Sequence, residues 1–190
     1  MPQCASVQLP LFAMSSEKKP QIASRVVLGV DPGLRKTGYG IIKETNGELH
    51  TLDYGIIKLP EHLTTAERLC AIHESLRELM LRYSVQYLAT ETQFVARNVS
   101  STIKLGMVRG VTLALANLLG VSVVEYAPTR IKKAATGRGG ASKSQVQFMV
   151  TARLKLDSPP PEDAADALAM ALCHLYYNPS LTLLNPSQRR

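Results

Sequence analysis

The sequence lacks the run of about 20 apolar residues that a bilayer-spanning helix needs. Its longest apolar stretch, 111–124, is broken by Thr112, Asn117, Gly120 and Ser122. No membrane partner is expected. The first residues also lack the charged and continuously apolar regions of a secretory signal, so export is not expected. Cysteine is scarce. Cys4, Cys70 and Cys173 are odd in number and far apart, which gives neither a zinc pattern nor a disulfide framework. A reduced, cytoplasmic compartment is the expectation. His50, His62, His73 and His174 show no ligand spacing and read as structural or solvated. Internal repeats are absent, and the Lys143-Ser144 pair lacks the preceding glycine pattern of a phosphate-binding P-loop.

What is present fits one domain. The chain has 190 residues and is 45% apolar, enough for a substantial core. Twenty-two Lys and Arg oppose 15 Asp and Glu, a net charge of +7. Such an excess suits a polyanionic partner, because Lys and Arg displace counterions condensed around phosphates. Ordinary solubility charge is the competing explanation.

Residues 1–24 carry Pro, Ser, Gln and Lys without periodicity and are expected to be a disordered extension. Met14 is an alternative start. Within this extension Gln8-Leu9-Pro10-Leu11-Phe12 resembles the short peptides that dock bacterial DNA-processing proteins onto a sliding clamp, although five residues also match by chance. The domain proper is expected over 25–177, with a polar tail from Asn178.

Strands are predicted at 25–30, 39–43 and 48–59, with Asp31-Pro32-Gly33 as a turn and Asn46-Gly47 as a hairpin. Helical spacing covers 64–83, with Thr64 or Thr65 as cap. A short strand at 87–91, a helix at 100–119 and a strand at 121–126 follow. Pro128 opens a short helix, a Gly-rich loop spans 136–141, and helices are predicted near 143–154 and 161–177. The order β-β-β-α-β-α-β-α-α implies an α/β fold: an antiparallel meander first, helix-connected parallel strands later.

Several acids are badly placed for a merely soluble role. Asp31 ends a strongly apolar strand, although alone it reads slightly better as a turn former before Pro32. Glu91 ends the second apolar strand, where turn formation is a weaker explanation. Asp163 and Asp166, at i,i+3 spacing, share one face of an Ala-rich helix. Asp163 also suits a helix start. Like charges on a mostly buried face repel unless a cation neutralises them. Glu162 reads as solvated. Converging carboxylates are what a metal nuclease needs, because two Mg²⁺ ions about 3.5–4 Å apart take hard oxygen ligands.

Four blocks carry a more specific signal. Asp31-Pro32-Gly33-Leu34-Arg35-Lys36-Thr37-Gly38-Tyr39-Gly40 resembles the first strand and turn of the RuvC Holliday junction resolvases. The segments 90–94 and 104–110 resemble that family's central block, and 143–147 and 163–169 its C-terminal blocks. Thr92 departs from the usual Gln, and residues 1–24 fall outside the pattern. The resemblance implies a ribonuclease H-like fold, a five-stranded mixed sheet flanked by helices. It also implies a homodimer acting on four-way DNA junctions and a four-carboxylate site for two Mg²⁺, with Mn²⁺ as a substitute. The four positions fall on Asp31, Glu91, Asp163 and Asp166. On that reading Asp31 is shared by both ions, Glu91 and Asp166 each hold one side, and Asp163 ligates or orients water. The expected reaction is in-line hydrolysis that leaves a 5′-phosphate and a 3′-hydroxyl.

Basic and aromatic candidates surround this set. Lys132, Lys133, Arg138 and Lys143 flank the Gly137–Gly140 loop and suit phosphate binding. Lys132 and Lys143 match basic positions of the resembled family. Lys104 and Arg109 are assigned to the same surface. Phe94 reads as a core residue on sequence alone, while the resemblance makes it a base-stacking wedge. Arg97 is a phosphate contact or a solvated loop charge. The apolar helix from Leu105 to Leu119 is a candidate dimer contact or a core helix. The family's RuvA and RuvB branch-migration proteins are implied partners. Other readings stay open: a nuclease of the same fold acting on RNA–DNA hybrid, a phosphotransferase sharing the early Asp-Gly turn, or a non-catalytic junction binder.

Overall fold

The computed structural model describes residues 24–92 and 99–178. Its strands are β1 (Ser24–Asp31), β2 (Lys36–Thr45), β3 (Glu48–Lys58), β4 (Tyr87–Glu91) and β5 (Ser122–Tyr126). Its helices are α1 (Thr65–Arg82), α2 (Val99–Leu118), α3 (Pro128–Thr136), α4 (Lys143–Arg153) and α5 (Glu162–Tyr177). The sheet order is β3-β2-β1-β4-β5. β1, β2 and β3 pair antiparallel, whereas β4 is parallel to β1 and to β5. The mixed sheet matches the expected one. The short helix expected at Pro128 is α3, a nine-residue element.

Two local features set the register. Asn46 (φ 54°) and Gly47 (φ 85°) make a two-residue turn with both residues left-handed, which brings Thr45 opposite Glu48. Thr64 caps α1 through a reciprocal bond with Glu67, and Ser142 does the same for α4 with Gln145.

Period-two alternation sorts the sheet into two faces. Val26, Leu28, Val30, Ile41 and Leu88 pack with Ile72 and Leu76 of α1 and with Val108 and Leu115 of α2. Val27, Ile42 and Ala89 pack on the other side with α3, α4 and α5. The result is three layers, with α5 crossing the middle of the sheet and buried along most of its length.

α5 sits unusually close because glycines face it. A Cβ on Gly29 would lie 1.8 Å from the carbonyl oxygen of Ala167, and one on Gly40 would lie 2.6 Å from the Leu168 side chain. Only a residue without a side chain permits that approach.

Candidate active site

The same alternation aims the acids. Gly29 faces α5, so Asp31, two residues later on β1, faces it too. Ala89 belongs to the α5-side core, so Glu91, two residues later on β4, takes the same side. β1 and β4 are in parallel register at Gly29 and Ala89, and each strand ends on its acid two residues further on. Thr90 Oγ1 donates to the Val30 carbonyl at 3.2 Å and ties the two ends together.

Asp31 is not the turn residue its Asp-Pro-Gly context suggests. It remains in β1, paired with Gly38 of β2. The turn is held instead by the buried Thr37, whose hydroxyl donates to the Gly33 carbonyl at 2.8 Å. Strand pairing removes Asp31 from the loop and fixes its carboxylate at the sheet end.

Asp163 and Asp166 occupy the first turns of α5 above this end. α5 has no side-chain cap, and its first turn carries Glu162 and Asp163 instead, a favourable placement for negative charge at a helix N-terminus.

Electrostatics shows that these acids share one region. The Asp31 carboxyl is pushed up to about 7, first by burial and then by the charges of Asp166, Asp163 and Glu91, with Lys143 opposing. Glu91 is also raised, by burial and by Asp166, while Lys132 and Lys143 oppose. Asp166 is raised by burial, against the pull of Lys143. Without a cation the cluster is short of positive charge. Among the described residues no three His, Cys, Asp or Glu side chains lie close enough together to hold a metal ion as they stand.

The cations expected near the site take distinct places. Lys143, first residue of α4, lies 3.5 Å from Asp166 and 2.6 Å from Glu162. Lys132, on α3, acts on Glu91. Arg109 departs from the expected basic surface: it pairs with Glu125 and ties α2 to β5. Lys104 lines a cleft of about 690 Å³ beside Asp163, together with Arg35, Lys36 and Arg68. Sequence reading left Arg35 and Lys36 unassigned, and their position inside the Asp31–Gly40 block was the available signal. Phe94, Arg97 and the Gln8–Phe12 segment lie outside the described residues. His174 is buried, as a structural histidine should be, bonded to the Tyr126 hydroxyl at 3.0 Å.

A five-stranded mixed sheet bearing acids from two adjacent strand ends and a crossing helix defines the ribonuclease H-like class of metal-dependent nucleases. Residues 27–174 match the family model described as crossover junction endodeoxyribonuclease RuvC. The chain is 43% identical over 169 residues to the protein of that name from Idiomarina loihiensis, covering 87% of this chain and 95% of that one. It is 48% identical over 151 residues to the namesake from Hydrogenovibrio crunogenus, covering 80% and 87%. The solved structure of T. thermophilus RuvC in complex with a Holliday junction substrate is 34% identical and gives a TM-score of 0.76 over 80% of this chain and 94% of that one. A yeast mitochondrial Holliday junction resolvase shares the fold at 14% identity, with a TM-score of 0.57 over 77% and 76% of the two chains. The chain belongs to the RuvC family, whose members are metal-dependent nucleases.

Proposed function

We propose that this protein is a cytoplasmic endonuclease that resolves four-way DNA junctions in recombination and repair. It cuts two like-oriented strands and leaves 5′-phosphate and 3′-hydroxyl ends. The observation that carries this reading is the Asp31 carboxyl, pushed up to about 7 by burial and by three neighbouring acids. Carboxyls pushed up together by burial and by one another's charges are a mark of functional sites.

The donor set is all oxygen and rich in charge, which fits a hard divalent ion and not a soft one. Asp31, Glu91, Asp163 and Asp166 would hold two Mg²⁺ ions, with Mn²⁺ as a substitute. Bound cations supply an activated water and neutralise charge that develops at phosphorus. The protein's own residues do the rest. Asp31, Glu91 and Asp166 would serve as carboxylate ligands, and Asp163 would ligate or orient the water. Lys143 and Lys132 would receive phosphate oxygens, and the Arg35, Lys36 and Lys104 cleft would track the backbone of one arm. Phe94 and Arg97 are proposed DNA contacts on sequence grounds.

Paired cutting calls for two copies. α2 supports a homodimer, because its outer face leaves Ile103, Met107 and Leu118 exposed while Val108 and Leu115 serve the core. Among the described residues, Cβ atoms at Gly106 and Gly110 would meet nothing within 4 Å, which leaves room for a second helix to approach. RuvA and RuvB are proposed partners by family resemblance, and a sliding clamp is a further one through Gln8–Phe12. Among the described residues no helix is long and apolar enough to cross a membrane.

Synthetic substrates test the proposal. A four-way junction should be cut in symmetric pairs with Mg²⁺, and an RNA–DNA hybrid should not. Asp31→Asn and Asp166→Asn should abolish cutting and spare junction binding. Cleavage of the hybrid alone, or full activity in either variant, would overturn it.

A further inference from the structure

Lys143 has two acidic neighbours, and the nearer one lies outside the four-acid set. Its ammonium is 2.6 Å from Glu162 and 3.5 Å from Asp166. Lys143 is the first residue of α4 and Glu162 the first residue of α5, so the pair bridges two helix N-termini. Both side chains are more than half exposed and sit at the rim. The Glu162 charge acts on Asp166 but is absent from those that act on Asp31 and Glu91, which places it at the Asp166 edge of the site.

The geometry points to Glu162 as a positioning residue that keeps the Lys143 ammonium at the rim of the carboxylate site. The argument rests on the proposed nuclease reading and begins with a conflict. In the cation-free protein Asp166 attracts Lys143. Divalent ions held by Asp166 would repel the same ammonium. Lys143 has a long, largely exposed side chain with many rotamers, and would then swing into solvent. Glu162 is the nearer and more exposed of the two acids paired with Lys143, so it can retain the ammonium after Asp166 is engaged. The lysine stays where an arriving phosphate must pass.

Retention has a cost that makes the idea distinguishable. Glu162 adds negative charge close to DNA, so it weakens ground-state binding while it orients Lys143 for the chemical step. Removing its charge should shift the two quantities in opposite directions. A residue that merely stabilised the fold would lower both.

Three measurements on Glu162→Gln test this, using the full chain. In ¹⁵N-lysine spectra of the cation-free protein, Lys143 Nζ should exchange with solvent more slowly than exposed lysines do, and the substitution should remove that protection. Junction affinity measured in chelator should rise, and a fall in affinity alongside the rate would overturn the positioning role. The single-turnover cleavage rate with Mg²⁺ should fall about two- to fivefold, the range an exposed ion pair can carry. In a Lys143→Ala background the same change should leave the rate unaltered, and Glu162→Asp should recover part of it. Equal Lys143 exchange in both proteins would overturn the positioning role whatever the enzyme does. So would an additive loss in the Lys143→Ala background, or an unchanged cleavage rate. Failure of the unmodified protein to cut the junction would instead overturn the nuclease reading, and the exchange measurement would still stand on its own.

Discussion

Gly38 lies directly beneath Asp163: a Cβ on Gly38 would come within 2.1 Å of the Asp163 carbonyl oxygen and 3.0 Å of its Cβ. Gly38 is also the residue paired with Asp31 across β1 and β2. One glycine therefore sets the distance between an acid on the sheet and an acid on the helix. The contact is to backbone, so no side-chain rotation relieves it. Gly38→Ala should push the start of α5 outward, destabilise the fold by about 1–3 kcal/mol as overpacking does, and reduce cleavage at least tenfold. Thermal melts and single-turnover rates on the purified variant check both. A variant with normal cleavage would show that the spacing is not set here.

The raised Asp31 carboxyl makes stability depend on pH in a stated direction. Unfolded, the group titrates near 3.8; folded and cation-free, at about 7. Between those values the folded state binds more protons than the unfolded state, so stability falls as pH rises through about 4 to 7. Asp31→Asn removes that penalty and should stabilise the cation-free protein at pH 8 by about 4 kcal/mol. Urea titrations in chelator read the difference. Saturating Mg²⁺ should stabilise the unmodified protein far more than the variant, and apparent cation affinity should rise with pH up to about 7, because a proton must leave.

His174 contributes the opposite slope. Burial, with help from the Arg25 charge, lowers it to about 4, and among the described residues its Nε2 meets no hydrogen-bond partner. Here the unfolded state binds more protons between about pH 4 and 6.5, so stability is lost as pH falls through that window. The Asp31 and His174 effects overlap and partly cancel in the cation-free protein. In Asp31→Asn the histidine slope should emerge uncompensated, as a steeper loss of stability below pH 6.5. A flat profile over that range would contradict the buried neutral state of His174.

The exposed stripe on α2 predicts the assembly. Met107 is 43% exposed and Ile103 54%, on a helix whose other side is already packed. Met107→Glu puts a charge in the centre of that stripe without touching the core. Sedimentation should show a dimer in the unmodified chain and a monomer in the variant, with melting behaviour little changed. Junction nicking would persist at reduced rate while paired cuts disappear. A dimeric variant would move the interface elsewhere.

Much of the fold is legible in the residues. Asn46-Gly47 dictates its turn through left-handed backbone, Thr64 and Ser142 announce helix starts, and alternation of Val27 with Leu28 marks a strand buried on both faces. The four acids proposed for the site stand out in the sequence too, through their poor fit to a soluble surface and their place in four ordered blocks. The fate of Asp31 was less legible. Asp-Pro-Gly is a turn signal on local grounds, and only pairing with Gly38 holds the acid in the strand. Arg109 reads as part of a basic surface, yet Glu125 on a neighbouring strand claims it. The pairing of Lys143 with Glu162 joins residues 19 positions apart, and nothing local encodes it.

The sequence by itself determined which residues could do chemistry here, because side-chain type and short-range spacing are local properties. It determined the elements as well, because turn dihedrals, caps and periodicity act over a few residues. The tertiary structure decided how near the acids come to one another. That distance depends on α5 lying against Gly29, Gly38 and Gly40, a long-range packing fit in which absent side chains matter as much as present ones. It also decided the charge state of Asp31, since burial and the fields of three distant residues exist only once the chain has closed around them.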